Sequence, residues 1–216
     1  MISIVSLLAY IYRLFGDDKY FVYKDTYMKG DWCIFNSYFT PAQCDEIVTM
    51  ANKLAKRDAS MGVGGETNTQ DYRRSKIAFI QKDMPQFKAL FDKLWELSCW
   101  ANNDWFDFHI SKFDYIQFAE YSAAEKSEYK THCDVFWLNN DPRFHRKLSM
   151  VVQLTDPGLY TGGELQLQVE QAGPADQFRN QGTVILFPSF VYHAVTPMQS
   201  GQRNSLAIWI DGPKWR

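Results

Sequence analysis

The chain has 216 residues, 46% of them hydrophobic and 16% aromatic, with a formal net charge of −2. That length fits one domain with a sizeable core, and that composition excludes disorder over most of the chain. The 23 basic residues are scattered against 25 acidic ones, which removes any electrostatic case for nucleic acid as a partner.

The apolar stretch Ile2–Tyr12 has no basic residue before it and no small-x-small site after it, unlike a signal peptide. It is too short to span a bilayer as a helix, so an amphipathic helix lying on the domain is expected, and no membrane span. Cys33, Cys44, Cys99 and Cys133 form no C-x-x-C pair. A chain of this size needs no disulfide staples, so reduced thiols and a cytoplasmic location are expected.

Phe39–Arg57 carries a helix start: Thr40 caps, Pro41 takes the first helical position, and Gln43 completes a T-x-x-Q box. Cys44, Ile47, Val48, Ala51, Leu54 and Ala55 then recur on one face. A second helix is expected from about Met84 to Ala101, with Phe87, Leu90, Phe91, Leu94 and Leu97 inward. Between them MGVGGETNTQDYRRSK reads as a glycine-rich polar loop. It lacks the lysine and following helix of a phosphate loop. From His109 onward the pattern turns to strands: KFDYIQFAEY, KLSMVVQL, GGELQLQVE, TVILF and SLAIWI. Helices followed by short strands predict helices packed on one face of an antiparallel sandwich, an α+β, mainly β class.

The chemistry lies in EYKTHCDVFWL and in the stretch from Thr183 to Pro213. In an extended chain, residues i and i+2 point to one side, so His132 and Asp134 converge while Cys133 faces away. His193 can add a second imidazole from a distant strand. Two His and one carboxylate on one face of an octahedron leave three positions open, the arrangement of non-haem Fe(II) oxygenases. A 2-oxo acid can chelate such an ion and leave one site for O2. The far carboxylate of a five-carbon diacid then needs a cation deeper in the barrel. Arg203 is placed for it, one strand beyond His193 across a reversal at Pro197 and Gly201. By alternation Trp209 shares Arg203's face and is a candidate wall of that pocket or plain core. Trp137, with Phe136, is a candidate substrate platform or a hydrophobic rim. Arg73 and Arg74 are candidate substrate-side cations or a solvated loop pair. His109 and His145 have no ligand-like partners.

These residues resemble the 2-oxoglutarate/Fe(II)-dependent dioxygenases, particularly the prolyl 4-hydroxylase-like branch, from about Phe39 to Pro213. The resemblance rests on H-x-D at His132–Asp134, GGEL at Gly162–Leu165, and His193 with Arg203 ten residues on. FTPAQCDEIV and DYRRS at Asp71–Ser75 are similar to the family's first helix and substrate-side strand. It implies a double-stranded β-helix (jelly roll) at 109–216, supported by helices and a loop region at 1–108, within a single domain spanning 1–216. It further implies catalytic metal ligation by His132, Asp134 and His193, and cofactor contact by Arg203 and Tyr121. The implied cofactors are Fe(II), 2-oxoglutarate and O2, with ascorbate as a further reductant. The implied reaction is hydroxylation of a prolyl residue in a protein or peptide, with release of succinate and CO2. A free amino acid or other small molecule stays open as substrate. A zinc hydrolase, which would leave Arg203 unexplained, and a non-catalytic jelly-roll binding module are the rival readings.

Overall fold

A computed structural model of the chain describes residues 29–59, 71–135, 143–170 and 173–215. Its elements are β1 (Cys33–Phe35), α1 (Pro41–Ala51), β2 (Arg57–Asp58), β3 (Arg73–Arg74), β4 (Lys76–Gln81), α2 (Lys88–Ala101), β5 (Tyr115–Ser122), β6 (Glu128–His132) and β7 (Phe144–Gln153). They continue as β8 (Tyr160–Gly162), β9 (Leu165–Leu167), β10 (Val184–Pro188), β11 (His193–Val195) and β12 (Met198–Pro213). The expected segments Ile2–Tyr12, most of the glycine-rich loop, Phe136 and Trp137 lie outside the described residues. Among the described residues no helix is long and apolar enough to cross a membrane, and the four thiols are free.

The capping box closes as the sequence predicts. Thr40 Oγ1 accepts from Gln43 N at 3.2 Å while Thr40 N donates to Gln43 Oε1 at 3.0 Å. The helix is shorter than the Phe39–Arg57 pattern, ending at Ala51 with Asn52 as its cap. Leu54 still packs against the core, but Arg57 and Asp58 are claimed by β4, pairing with Ile77 and Lys76. Pro85–Phe87 forms a 3-10 turn before α2. A π-turn over Asn102–Phe106 extends past the expected end and closes on Asp107 at φ 54.

Two antiparallel sheets face each other. The larger runs β1-β10-β7-β12-β5-β4-β2, with β8 on the end of β12; the smaller runs β3-β6-β11-β9. Strands therefore begin well before His109: β1 to β4 come from the part expected to be helix and loop. Period-two alternation sorts the larger sheet's faces. Ile116 and Phe118 on β5, Leu148 and Val152 on β7, and Leu206 and Ile208 on β12 pack outward. They meet Cys44 and Ile47 of α1 and Leu90, Phe91, Leu94 and Leu97 of α2. Each such fully buried side chain contributes about 1.5–3 kcal/mol. The helices thus brace the outer face, and the inner face is left to the space between the sheets. This arrangement is a double-stranded β-helix.

The reversal expected to place Arg203 beside His193 is not a hairpin. β11 pairs with β6 and β9 in the smaller sheet, whereas β12 pairs with β5, β7 and β8. The chain crosses from one sheet to the other between Val195 and Met198, so Arg203 confronts His193 across the barrel interior. Gly162 and Gly163 permit the crossing, at φ 71 and 65. A Cβ on Gly162 would sit 2.1 Å from Pro197 O, and one on Gly163 would sit 2.3 Å from Met198 Sδ.

Candidate metal and anion site

His132 and His193 are direct cross-strand partners on β6 and β11. Their ring centroids lie 4.2 Å apart. Each Nδ1 lies against a main-chain carbonyl two residues back: Lys130 O at 2.8 Å for His132, Val191 O at 3.0 Å for His193. A carbonyl can only accept, so Nδ1 carries the proton and each Nε2 offers a lone pair. Those two nitrogens face one carboxylate, His132 Nε2 at 3.7 Å from Asp134 Oδ1 and His193 Nε2 at 3.5 Å from Asp134 Oδ2. Ligand bonds of about 2.1 Å at right angles would separate donor atoms by about 3.0 Å, so small adjustments would close the three around one ion. All three residues are buried.

Asp134 is not held by strand alternation as expected, because β6 ends at His132. Its main-chain N donates instead to Ser189 O at 2.8 Å, and its Oδ2 accepts from Ser149 Oγ at 2.6 Å. Burial pushes the Asp134 carboxyl up, but His193, Arg146, His132 and the Ser149 hydroxyl outweigh it and hold the group below its ordinary range. Burial, reinforced by His193, lowers His132 to about 4. A neutral His132 beside an ionised carboxylate suits a divalent cation, which binds unprotonated ligands.

A cavity of about 50 Å³ opens from this cluster toward the larger sheet, where Tyr121, Arg203, Ser205, Ala207 and Trp209 line it. Arg203 and Tyr121 are cross-strand partners, the guanidinium carbon 5.4 Å from the phenol ring centre. Arg203 is 1% exposed. Its Nε donates to Gln153 Oε1 at 3.0 Å, while Nη1 is buried without an acceptor among the described residues. An unsatisfied buried donor costs roughly 1–3 kcal/mol, more on a charged group. The cavity can therefore accept an anion at its base.

Arg73 lines the same cavity from the smaller sheet. It lies 4.4 Å over the Tyr129 ring, and Tyr129 stacks on His132 at 3.5 Å and 15°. Arg73 Nε donates to Ser75 Oγ at 3.1 Å, and among the described residues no carboxylate pairs with it. Arg74 is not part of this site. It turns to Glu128 and the Lys126 carbonyl, because alternate residues of a strand face opposite ways. Trp137 lies outside the described residues. His145 meets the main chain of Trp215 and His109 is exposed, both away from the cavity. Tyr129, Ser149, Ser189 and Gln153 were missed. Ser149 and Gln153 carried a signal, as polar residues four apart and therefore on the same inward face of KLSMVVQL.

Comparison with known proteins gives the same picture. Residues 116–211 match the model of the 2OG-Fe(II) oxygenase superfamily. The chain is similar to a PKHD-type hydroxylase of Teredinibacter turnerae, 36% identical over 84 residues, which cover 38% of this chain and 37% of that one. One from Pseudoalteromonas atlantica is 32% identical over 98 residues, 44% and 42% of the two chains. The chain thus spans under half the length of these curated relatives. Among solved structures, the fold is similar to a Pseudomonas putida prolyl-4-hydroxylase, with TM-score 0.62 and 19% identity over 84% of this chain and 92% of that one. A Trichoplax adhaerens prolyl hydroxylase, in complex with a peptide fragment of the hypoxia inducible factor oxygen degradation domain, gives TM-score 0.65 and 18% identity over 84% of each chain.

Proposed function

We propose, on the match of residues 116–211 to the model of the 2OG-Fe(II) oxygenase superfamily, that the chain is a dioxygenase of that kind and hydroxylates a prolyl residue of a protein or peptide. The observation that carries this reading is the unsatisfied Nη1 of Arg203 in the same cavity as the two imidazoles and the carboxylate. The residues fit the implied groups. Two unprotonated nitrogens and one carboxylate on one side of an ion leave half its coordination sphere free, and Arg203 offers a charged donor to the far end of a diacid. Fe(II) chelated by 2-oxoglutarate would supply the oxidative chemistry, converting O2 and the 2-oxo acid to succinate and CO2 and placing one oxygen atom in a substrate C–H bond.

The protein's part is to hold and to exclude. His132 and His193 are fixed through their Nδ1 protons and Asp134 through Ser149. Arg203, steadied by Gln153 with Tyr121 beside it, orients the cosubstrate. Ala119, Ser205 and Ala207 are small and keep the space above the guanidinium open. No general base is needed. Arg73 and Tyr129, on the metal side of the cavity, are the residues we assign to the primary substrate. Similarity in fold to prolyl hydroxylases, one of them solved with a peptide fragment bound, supports a prolyl peptide. Ascorbate enters only as a reductant that keeps the iron ferrous.

A second reading has its own support. A buried guanidinium with no carboxylate partner among the described residues, Arg73, suits a substrate bearing a free carboxylate, such as an amino acid. One experiment separates the two: supply Fe(II), 2-oxoglutarate and O2 with proline-containing peptides or with free amino acids, then measure succinate and search by mass spectrometry for a gain of one oxygen. Peptide-stimulated succinate with an oxygenated proline is expected. Stimulation by amino acids alone would favour the second reading, and no succinate with any of them would sink both.

A further inference from the structure

We propose that Ser149 is a positioning residue for Asp134 and that Ser189 drives it through a one-way hydroxyl relay; this rests on the metal-site reading above. Ser149 Oγ lies 2.6 Å from Asp134 Oδ2 and 3.0 Å from Ser189 Oγ. Both serines are buried, at 2% and 0% exposure. An ionised carboxylate only accepts, so the single Ser149 proton goes to Asp134. The proton between the two serines must then come from Ser189. Ser189 acts twice, because its carbonyl also receives the Asp134 main-chain N–H at 2.8 Å. The ligand is clamped at backbone and carboxylate by one residue and its relay.

The relay decides which oxygen is free. With Oδ2 engaged by Ser149, Oδ1 is left to the ion, and Asp134 binds through one atom. A carboxylate released from the clamp can rotate or chelate through both oxygens, taking a position that the cosubstrate and O2 require. Three separate strands supply the parts: Ser149 on β7, Ser189 just after β10, and Asp134 just after β6.

The test uses Mn(II) as a redox-silent probe, titrated into the whole chain and followed by the electron paramagnetic resonance of free Mn(II). Ser149→Ala is expected to weaken Mn(II) binding about 10- to 100-fold, the usual effect of losing a partner behind a metal ligand. Ser189→Ala should weaken it less. The double variant should be no weaker than Ser149→Ala alone, since the two act in series. The visible spectrum of the Co(II)-loaded protein should change in Ser149→Ala, reporting altered ligation. Ser98→Ala is the control for a merely structural serine: Ser98 is buried and donates only to Leu94 O, so its loss should lower melting temperature and leave Mn(II) affinity unchanged. Wild-type affinity in Ser149→Ala, or independent, additive losses in the two serine variants, would overturn the proposal. Failure of the wild type to bind Mn(II) would instead remove the metal-site reading itself.

Discussion

Gln153 holds Arg203 by one nitrogen and leaves another free for a ligand: Nε reaches Gln153 Oε1 at 3.0 Å, and Nη1 stays buried without an acceptor among the described residues. The pair is a device for aiming. One hydrogen bond sets the plane of the guanidinium fork, and the remaining donors are reserved for a ligand. Natural cores rarely leave a charged donor unmet, and this one lines the cavity shared with His132, Asp134 and His193, so it reads as a binding position.

Replacing Arg203 separates binding from folding. Arg203→Met keeps the bulk and removes the charge, so the unliganded protein should melt at the same temperature or higher. The KM for 2-oxoglutarate should rise at least about 30-fold, equivalent to about 2 kcal/mol. Steady-state kinetics and thermal melts with and without 2-oxoglutarate check this; stabilisation by the cosubstrate should vanish in the variant.

Arg73 and Arg74 are adjacent in sequence and opposite in role. Arg73→Ala should raise the KM for the primary substrate about 10- to 100-fold and leave substrate-independent succinate formation within about twofold. Arg74→Ala removes a partly buried ion pair with Glu128 and should cost about 1 kcal/mol of stability, with kinetics unchanged. Parallel kinetics on the two variants decide the assignment.

The two glycines at the crossing should differ. In Gly162→Ala the new methyl meets the Pro197 carbonyl, which is backbone and cannot swing aside. In Gly163→Ala it meets the flexible end of Met198 and then Arg203 Cδ at 3.4 Å. Gly162→Ala should be the more destabilising, by more than about 2 kcal/mol, while Gly163→Ala should mainly weaken 2-oxoglutarate binding. Urea melts and cosubstrate titrations distinguish them.

Alkaline pH should loosen the unliganded fold. Burial raises Cys33 from 9.0 to about 12 and Cys44 from 9.0 to about 11. In the unfolded chain these thiols ionise first, so between about pH 9 and about pH 11 the folded state binds more protons and stability falls as pH rises. Below pH 9 their contribution is fully present. Urea melts across that window should show the decline, and a Cys33→Ala, Cys44→Ala variant should show a shallower one.

The metal side of the site was legible in spacing because its residues are chemically rare. His132, Asp134, His193 and Arg203 stand out in a chain with four histidines, and period-two alternation was enough to carry Arg203's face through Ser205 and Ala207 to Trp209. Alternation fixes which side of a strand a residue takes and is silent about which sheet the strand joins. That is why β11 and β12 read as a hairpin although they belong to opposite sheets. The same silence left Arg73 and Arg74 undistinguished, since only the pairing of Arg73 with Tyr129 on β6 shows which of two neighbouring arginines turns inward. Ser149 and Gln153 were visible as polar residues in an apolar run, but their partners arrive from strands distant in sequence. The helix overran its true end for a related reason: Leu54 keeps the helical spacing while the sheet edge takes Arg57 and Asp58.

An anaerobic titration of the Fe(II)-loaded protein with 2-oxoglutarate, followed by visible absorption, tests the central claim most directly. A saturable charge-transfer band that needs both iron and 2-oxoglutarate is predicted, absent in Asp134→Ala and shifted to much higher 2-oxoglutarate concentration in Arg203→Met. A wild-type protein that binds iron yet gives no such band, or gives it unchanged without Asp134, would contradict the account.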